Sequence, residues 1–242
     1  MPNSKVAPPQ PPSFWSQVPR AVWRKLELST VLRDALIATR QRSVYGPVIA
    51  LNSLESYVTA AMRQQARVKR AMSAPLARVD GRRSSLFDDT HFYLIAWARI
   101  DKLGSYLASE TRYPRVRQVL RRYRADLEKR VLARNHLEHF EKRLPGALEE
   151  KKLASPNDLF NMANNSMTYG GMSVDIGPNS LTLLIDLWTE LRAALLYDAV
   201  EALAGADLES LRRLLHRAAS DLHLARLTKQ TMKMLKLDST TS

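Results

Sequence analysis

Apolar residues spaced three and four apart through most of the chain constrain this fold more than any other feature. In "LFDDTHFYLIAWARIDKLGSYLASE", Phe92, Leu94, Ile95, Trp97, Ile100, Leu103, Tyr106 and Leu107 recur with the helical period. That period places them on one broad face to be buried, and Asp88 or Asp89 is suited to cap the helix. Glycine numbers only 8 in 242 residues, which also favours helices over strands.

The same reading extends along the chain. Residues 1–27 form a proline-rich arm, "APPQPPSFWSQVP", with Phe14 and Trp15 as its anchors. Ser29 or Thr30 caps a first helix through Val31, Leu32, Ala35, Leu36 and Thr39, and Gly46-Pro47 breaks it from the next. That second helix runs from Val48 to about Met72, with Ile49, Leu51, Leu54, Val58, Ala61 and Met62 apolar. Its basic end, "RQQARVKR", suits the negative pole of the helix dipole. "SAPLARVDGRRSS" reads as a connector.

Pro114 opens a long helix expected to reach Leu144. Then the texture changes to Asn, Gly and Pro clusters. A small hairpin is predicted over 167–176, with Met167–Tyr169 and Met172–Ile176 around Gly170-Gly171. Ser180 caps another apolar helix, a last helix runs from Asp207 to about Leu227, and 228–242 is a polar tail. The expected architecture is all-α: one domain over 28–227, an antiparallel bundle of five to six helices with a small β-hairpin insertion.

Thirty-seven Lys and Arg against 24 Asp and Glu give a net charge of +13. Such a surface attracts polyanions. The absence of cysteine excludes disulfides, thiolate catalysis and cysteine zinc sites. No cationic start leads into an apolar run, so no signal peptide is expected. No apolar run approaches the roughly 20 residues that span a bilayer, and a cytoplasmic protein without membrane contact is the expectation. GxGxxG, Walker and GxSxG motifs are missing.

The helix that starts at Pro114 has an anomalous end. On a wheel of about 100° per residue, Leu120, Tyr123, Leu127 and Val131 share a narrow stripe. The next members of that stripe are Arg134 and Glu138. Asn135 and His139 lie just beside it at i, i+4 spacing. Either the helix emerges from the core there, leaving an ordinary Arg–Glu pair, or its end lines a cleft built for polar chemistry. Leu132, Leu137 and Phe140, apolar on other sides of the same turns, favour packing from several directions.

"RNHLEH", Arg134 to His139, resembles the signature of the HEPN superfamily: an Arg, a polar residue often Asn, and a His a few positions on, near the end of a long helix. Arg130–His136 and Arg217–His223 have similar spacing, but Asn135 distinguishes Arg134–His139. The resemblance in fold covers most of residues 30 to 225; the hairpin is an elaboration. It implies a metal-independent endoribonuclease, of use in toxin–antitoxin systems or phage defence, in which an RNA 2′-hydroxyl attacks the adjacent phosphate. His139 would move the proton, Arg134 would bind the phosphate and its transition state, and Asn135 would position them. His136 is an auxiliary acid or phosphate ligand and Glu138 an orienting carboxylate. The resemblance also implies a homodimer with this helix at the interface, and an antitoxin or other protein as a further partner. A non-catalytic HEPN-like dimer that binds nucleic acid or protein is the alternative, and a scaffold with a salt-bridged rim is a third reading.

The RNA surface is expected on "TRYPRVRQVLRRYRADLEKR": Arg115, Arg117, Arg121, Arg122, Arg124 and Arg130, with Arg112 and Lys129 beside them. Tyr113 and Tyr123 lie among them, Tyr123 read as core. His136, Glu138 and His139 do not make an HExxH pattern, and neither metal nor cofactor is expected. His91 reads as a capping or packing residue, and His216 and His223 have no matching partner.

Overall fold

The computed structural model describes residues 26–73, 79–138, 161–163, 165–169 and 172–218. It is mostly helical, with one small antiparallel sheet. Seven helices occur among the described residues: α1 (Leu28–Ala38), α2 (Tyr45–Met72), α3 (Val79–Thr111), α4 (Pro114–Arg122), α5 (Arg124–Glu138), α6 (Pro178–Ala206) and α7 (Leu208–Ala218). Three strands, β1 (Asn161–Ala163), β2 (Ser166–Tyr169) and β3 (Met172–Asp175), lie between α5 and α6 in the sequence. The chain divides into two compact units. One comprises Met1–Asn52, Ser105–Leu120 and Glu190–Ser242, the other Ser53–Gly104 and Arg121–Thr189.

In the first unit α1 buries Leu28, Val31, Leu32, Ala35 and Leu36, one stripe at helical spacing. Its N-cap is Glu27 rather than Ser29 or Thr30; the two hydroxyls donate instead to the Glu27 carboxylate, each at 2.9 Å. The helix closes with the N–H of Arg40 on Ile37 O and of Gln41 on Leu36 O. Arg40 takes the left-handed conformation (φ 52°) that this closure requires and that glycine usually supplies. Asp198, on α6, accepts the backbone N–H groups of Arg115 (2.9 Å) and Val116 (3.4 Å) and so caps α4 from another helix. The Arg115 guanidinium binds both Asp198 and Glu201.

Gly46 and Pro47 do not break the chain. They fall in the first turn of α2, where a proline's missing N–H has no intrahelical partner to lose. The connector expected over 73–85 is shorter: the helix is already running at Val79, so Asp88 and Asp89 lie inside α3 instead of capping it. The buried face of α3 is Tyr93, Leu94, Trp97, Ile100 and Leu107. Phe92 and Tyr106, counted from sequence on the apolar face, are exposed, as are Ile49 and Met62 on α2. Each falls about one residue off its buried stripe, a rotation of roughly 100°.

In the second unit the sheet has the order β1-β2-β3. The predicted hairpin is β2–β3, with Tyr169 opposite Met172 and Met167 opposite Val174. Met167 and Val174 are both buried while the residues beside them are not, the alternation of a one-faced strand. β1 was not foreseen; it pairs Met162 with Met167. Gly177 has a steric reason: a Cβ there would come within 2.3 Å of the Asn165 side chain. Gly177 donates to Asp175 Oδ1, and Pro178 then begins α6. Ser180 therefore lies inside that helix, buried, and is not its cap.

The helix from Pro114 is interrupted at Tyr123, although Leu127 N–H still reaches Tyr123 O at 3.0 Å. α5 is described to Glu138. Its predicted continuation to Leu144, the reach of the last helix beyond Ala218, the arm and the tail lie outside the described residues.

Candidate functional site

The polar end of α5 belongs to the second unit. Along α5 the buried residues are Leu127, Arg130, Ala133, His136 and Leu137. Arg134 and Glu138 fall on the same side of the helix as Leu127 but are only half-buried, one and two turns beyond Arg130 near the end of the described helix. The Arg134 side chain is 23% exposed and reaches both ways: Nη1 donates to Asn135 Oδ1 at 3.0 Å, and Nη2 donates to Glu138 Oε2. A guanidinium has five N–H groups, and these bonds use two of them. The other Glu138 oxygen, Oε1, lies 3.7 Å from Nε2 of His91, which comes from α3. Burial works against the Glu138 charge, but the Arg134 guanidinium and, after it, the His91 imidazole outweigh it and hold the carboxyl below its ordinary range.

Of the residues singled out in sequence, Arg134, Asn135 and Glu138 thus come together. His139 lies outside the described residues. His136 is 3% exposed, about 160° around α5 from Arg134. His91 is the member that sequence reasoning missed. It had been read as a capping or packing residue, and only the pairing of α3 with α5 brings it to Glu138.

Arg130, one turn before Arg134, is the clearest correction to the basic surface. It is 4% exposed. Its guanidinium lies 4.3 Å over the Trp97 ring, donates from Nε and Nη2 to Ser180 Oγ at 3.3 and 3.2 Å, and donates from Nη1 to Asp126. Ser180 Oγ is also 2.8 Å from Tyr93 Oη, and the Tyr93 and Trp97 rings meet edge to face. Burial pushes the Tyr93 hydroxyl up, against the opposing effect of Ser180. Arg130 is a core residue and not a surface phosphate ligand, because Trp97, Ser180 and Asp126 enclose its guanidinium.

The other proposed RNA contacts differ in what holds them. Arg115 is bound to Asp198 and Glu201. Arg124 pairs with Glu128 at 2.6 Å and lies 3.6 Å from Asp101. Arg117 is exposed with Nε on Ala108 O, Arg121 is exposed, and Arg122 is half-buried. Arg115 and Arg117 belong to one compact unit and Arg121, Arg122, Arg124 and Arg130 to the other. Among the described residues no helix is long and apolar enough to cross a membrane.

No family model, no curated protein and no solved structure matches this chain.

Proposed function

We propose that the chain is a metal-independent ribonuclease of HEPN type, with Arg134, Asn135 and His139 as its working residues, suited to toxin–antitoxin or phage-defence use. The observation that carries the reading is the posture of Arg134. An adjacent amide and a carboxylate on the next turn fix its guanidinium at a partly open surface, with N–H groups that no described residue takes and that suit phosphate oxygens. Asn135 then acts as the positioner. Glu138 orients the cluster, and His139 takes the 2′-hydroxyl proton. A homodimer is carried here by the HEPN resemblance; Leu132, half exposed, lies about 160° around the helix from Arg134. The net charge supports an RNA substrate.

One observation favours the alternative, a non-catalytic HEPN-like dimer that binds nucleic acid or protein: Glu138 partly neutralises the cation that a phosphate would need. RNA cleavage in EDTA by wild type and His139→Ala decides between them. The ribonuclease predicts cleavage that the variant loses. Binding without cleavage by either protein supports the alternative, and unchanged cleavage by the variant removes His139 from the mechanism.

A further inference from the structure

We infer that His91 is the general acid of this cleavage, acting in the same chain as Arg134; the inference rests on the ribonuclease reading. The reaction moves two protons. As the 2′-oxygen–phosphorus bond forms, the 2′-hydroxyl proton goes to a base, the role given to His139. As the bond from phosphorus to the 5′-oxygen breaks, that oxygen must take a proton from an acid. The products are a 2′,3′-cyclic phosphate and a 5′-hydroxyl. One imidazole cannot begin the step both with and without its proton, so a second group is required.

The described residues include three histidines. His136 is in the core, and His216 belongs to the other compact unit. His91 meets the cluster, with Nε2 3.7 Å from Glu138 Oε1 while the same carboxylate holds Arg134. Imidazole, carboxylate, guanidinium and amide thus form one chain of contacts from α3 to α5. Nε2 is buried on the side of Glu138 and makes no hydrogen bond among the described residues, so the proton given to the leaving oxygen is assigned to Nδ1. The ring is neither sealed nor loose: it is 26% exposed and has Phe87 and Phe92 at 6.3 and 6.2 Å. Phe92 is 55% exposed with its ring tilted only 24° from the imidazole. An exposed aromatic face beside the reacting group is what an unpaired base stacks on, which makes single-stranded RNA the substrate class. A histidine supplied in cis also removes the need for a second subunit to provide the acid.

The test uses the full chain in EDTA and two single-stranded oligoribonucleotides of one sequence, the second with sulfur in place of the 5′-bridging oxygen at the cleaved bond. A thiolate leaves without being protonated, so that substrate has no need of an acid. His91→Ala and His91→Gln, checked to melt as wild type does, are expected to cut the oxygen substrate about 10²- to 10⁴-fold more slowly. They should cut the sulfur substrate within a few-fold of the wild-type rate. Equal losses on both substrates, or no loss on either, overturn the assignment and leave the ribonuclease standing. A wild type inert toward both overturns the ribonuclease reading and this assignment with it.

Discussion

Arg130 and Arg134 sit one helical turn apart on α5 and have opposite fates. Arg130 is enclosed by Trp97, Ser180 and Asp126, with its charge satisfied by a ring face, a hydroxyl and a helix carbonyl. Arg134 is held by its own neighbours on the helix and keeps part of its guanidinium open. Both residues are arginines in an Arg-rich run, and composition treats them alike. The difference does not arise from rotation: at about 100° per residue Arg134 falls between Leu127 and Arg130 on the wheel, within the arc of the buried stripe, and it differs in lying one turn nearer the end of the described helix. A fixed, part-exposed cation near a helix end is suited to a ligand, whereas the same cation enclosed one turn earlier holds the fold together.

The contrast makes a large prediction first. Arg130→Ala leaves Ser180 and Tyr93 without their charged partner and opens space beside Trp97. It should cost roughly 3 kcal/mol of stability in urea unfolding. A loss below about 1 kcal/mol would show that Arg130 is not the core residue described. Ser180→Ala removes the shared acceptor but no charge, and should cost about 1–2 kcal/mol in the same measurement. Arg134→Ala loses an i, i+4 pair at a partly open surface and should cost under about 1 kcal/mol. Stability losses of equal size at 130 and 134 would erase the distinction.

The smallest effect is in pH. The Glu138 carboxyl is depressed in the folded chain, so the stability it contributes is present above its unfolded value and fades as pH falls through its folded one. The stability difference between wild type and Glu138→Gln should therefore be seen at pH 7 and shrink below about pH 4.3. A difference that grows on acidification would contradict the Arg134–Glu138–His91 arrangement.

The helices were legible because their apolar period is long and repeated. Val31, Leu32, Ala35 and Leu36 are buried as their spacing requires. The β2–β3 pair was legible because Gly170-Gly171 separates two strand-like runs. β1 was not, because "NMA" has no alternation of its own and gains its place only by pairing with β2. The start of α3 was missed because Gly, Arg and Ser between 81 and 85 resemble a linker although nothing there forbids a helix. The grouping of Arg134, Asn135 and Glu138 is local to one helix and could be read from spacing. His91 could not, because it lies more than forty residues away and joins the cluster only through the register of α3 on α5. Arg130 was misassigned for a related reason: a charged residue at a core position reveals itself only when its partners, here Trp97 and Ser180 from two other helices, are in place.

The central claim is that Arg134 serves chemistry while Arg130 serves the fold. It is tested most directly by the RNA-cleavage rate of Arg134→Ala in EDTA, measured alongside its melting. The account predicts a rate about 10²- to 10³-fold below wild type, with melting nearly unchanged. Undiminished cleavage by a folded Arg134→Ala protein would contradict it.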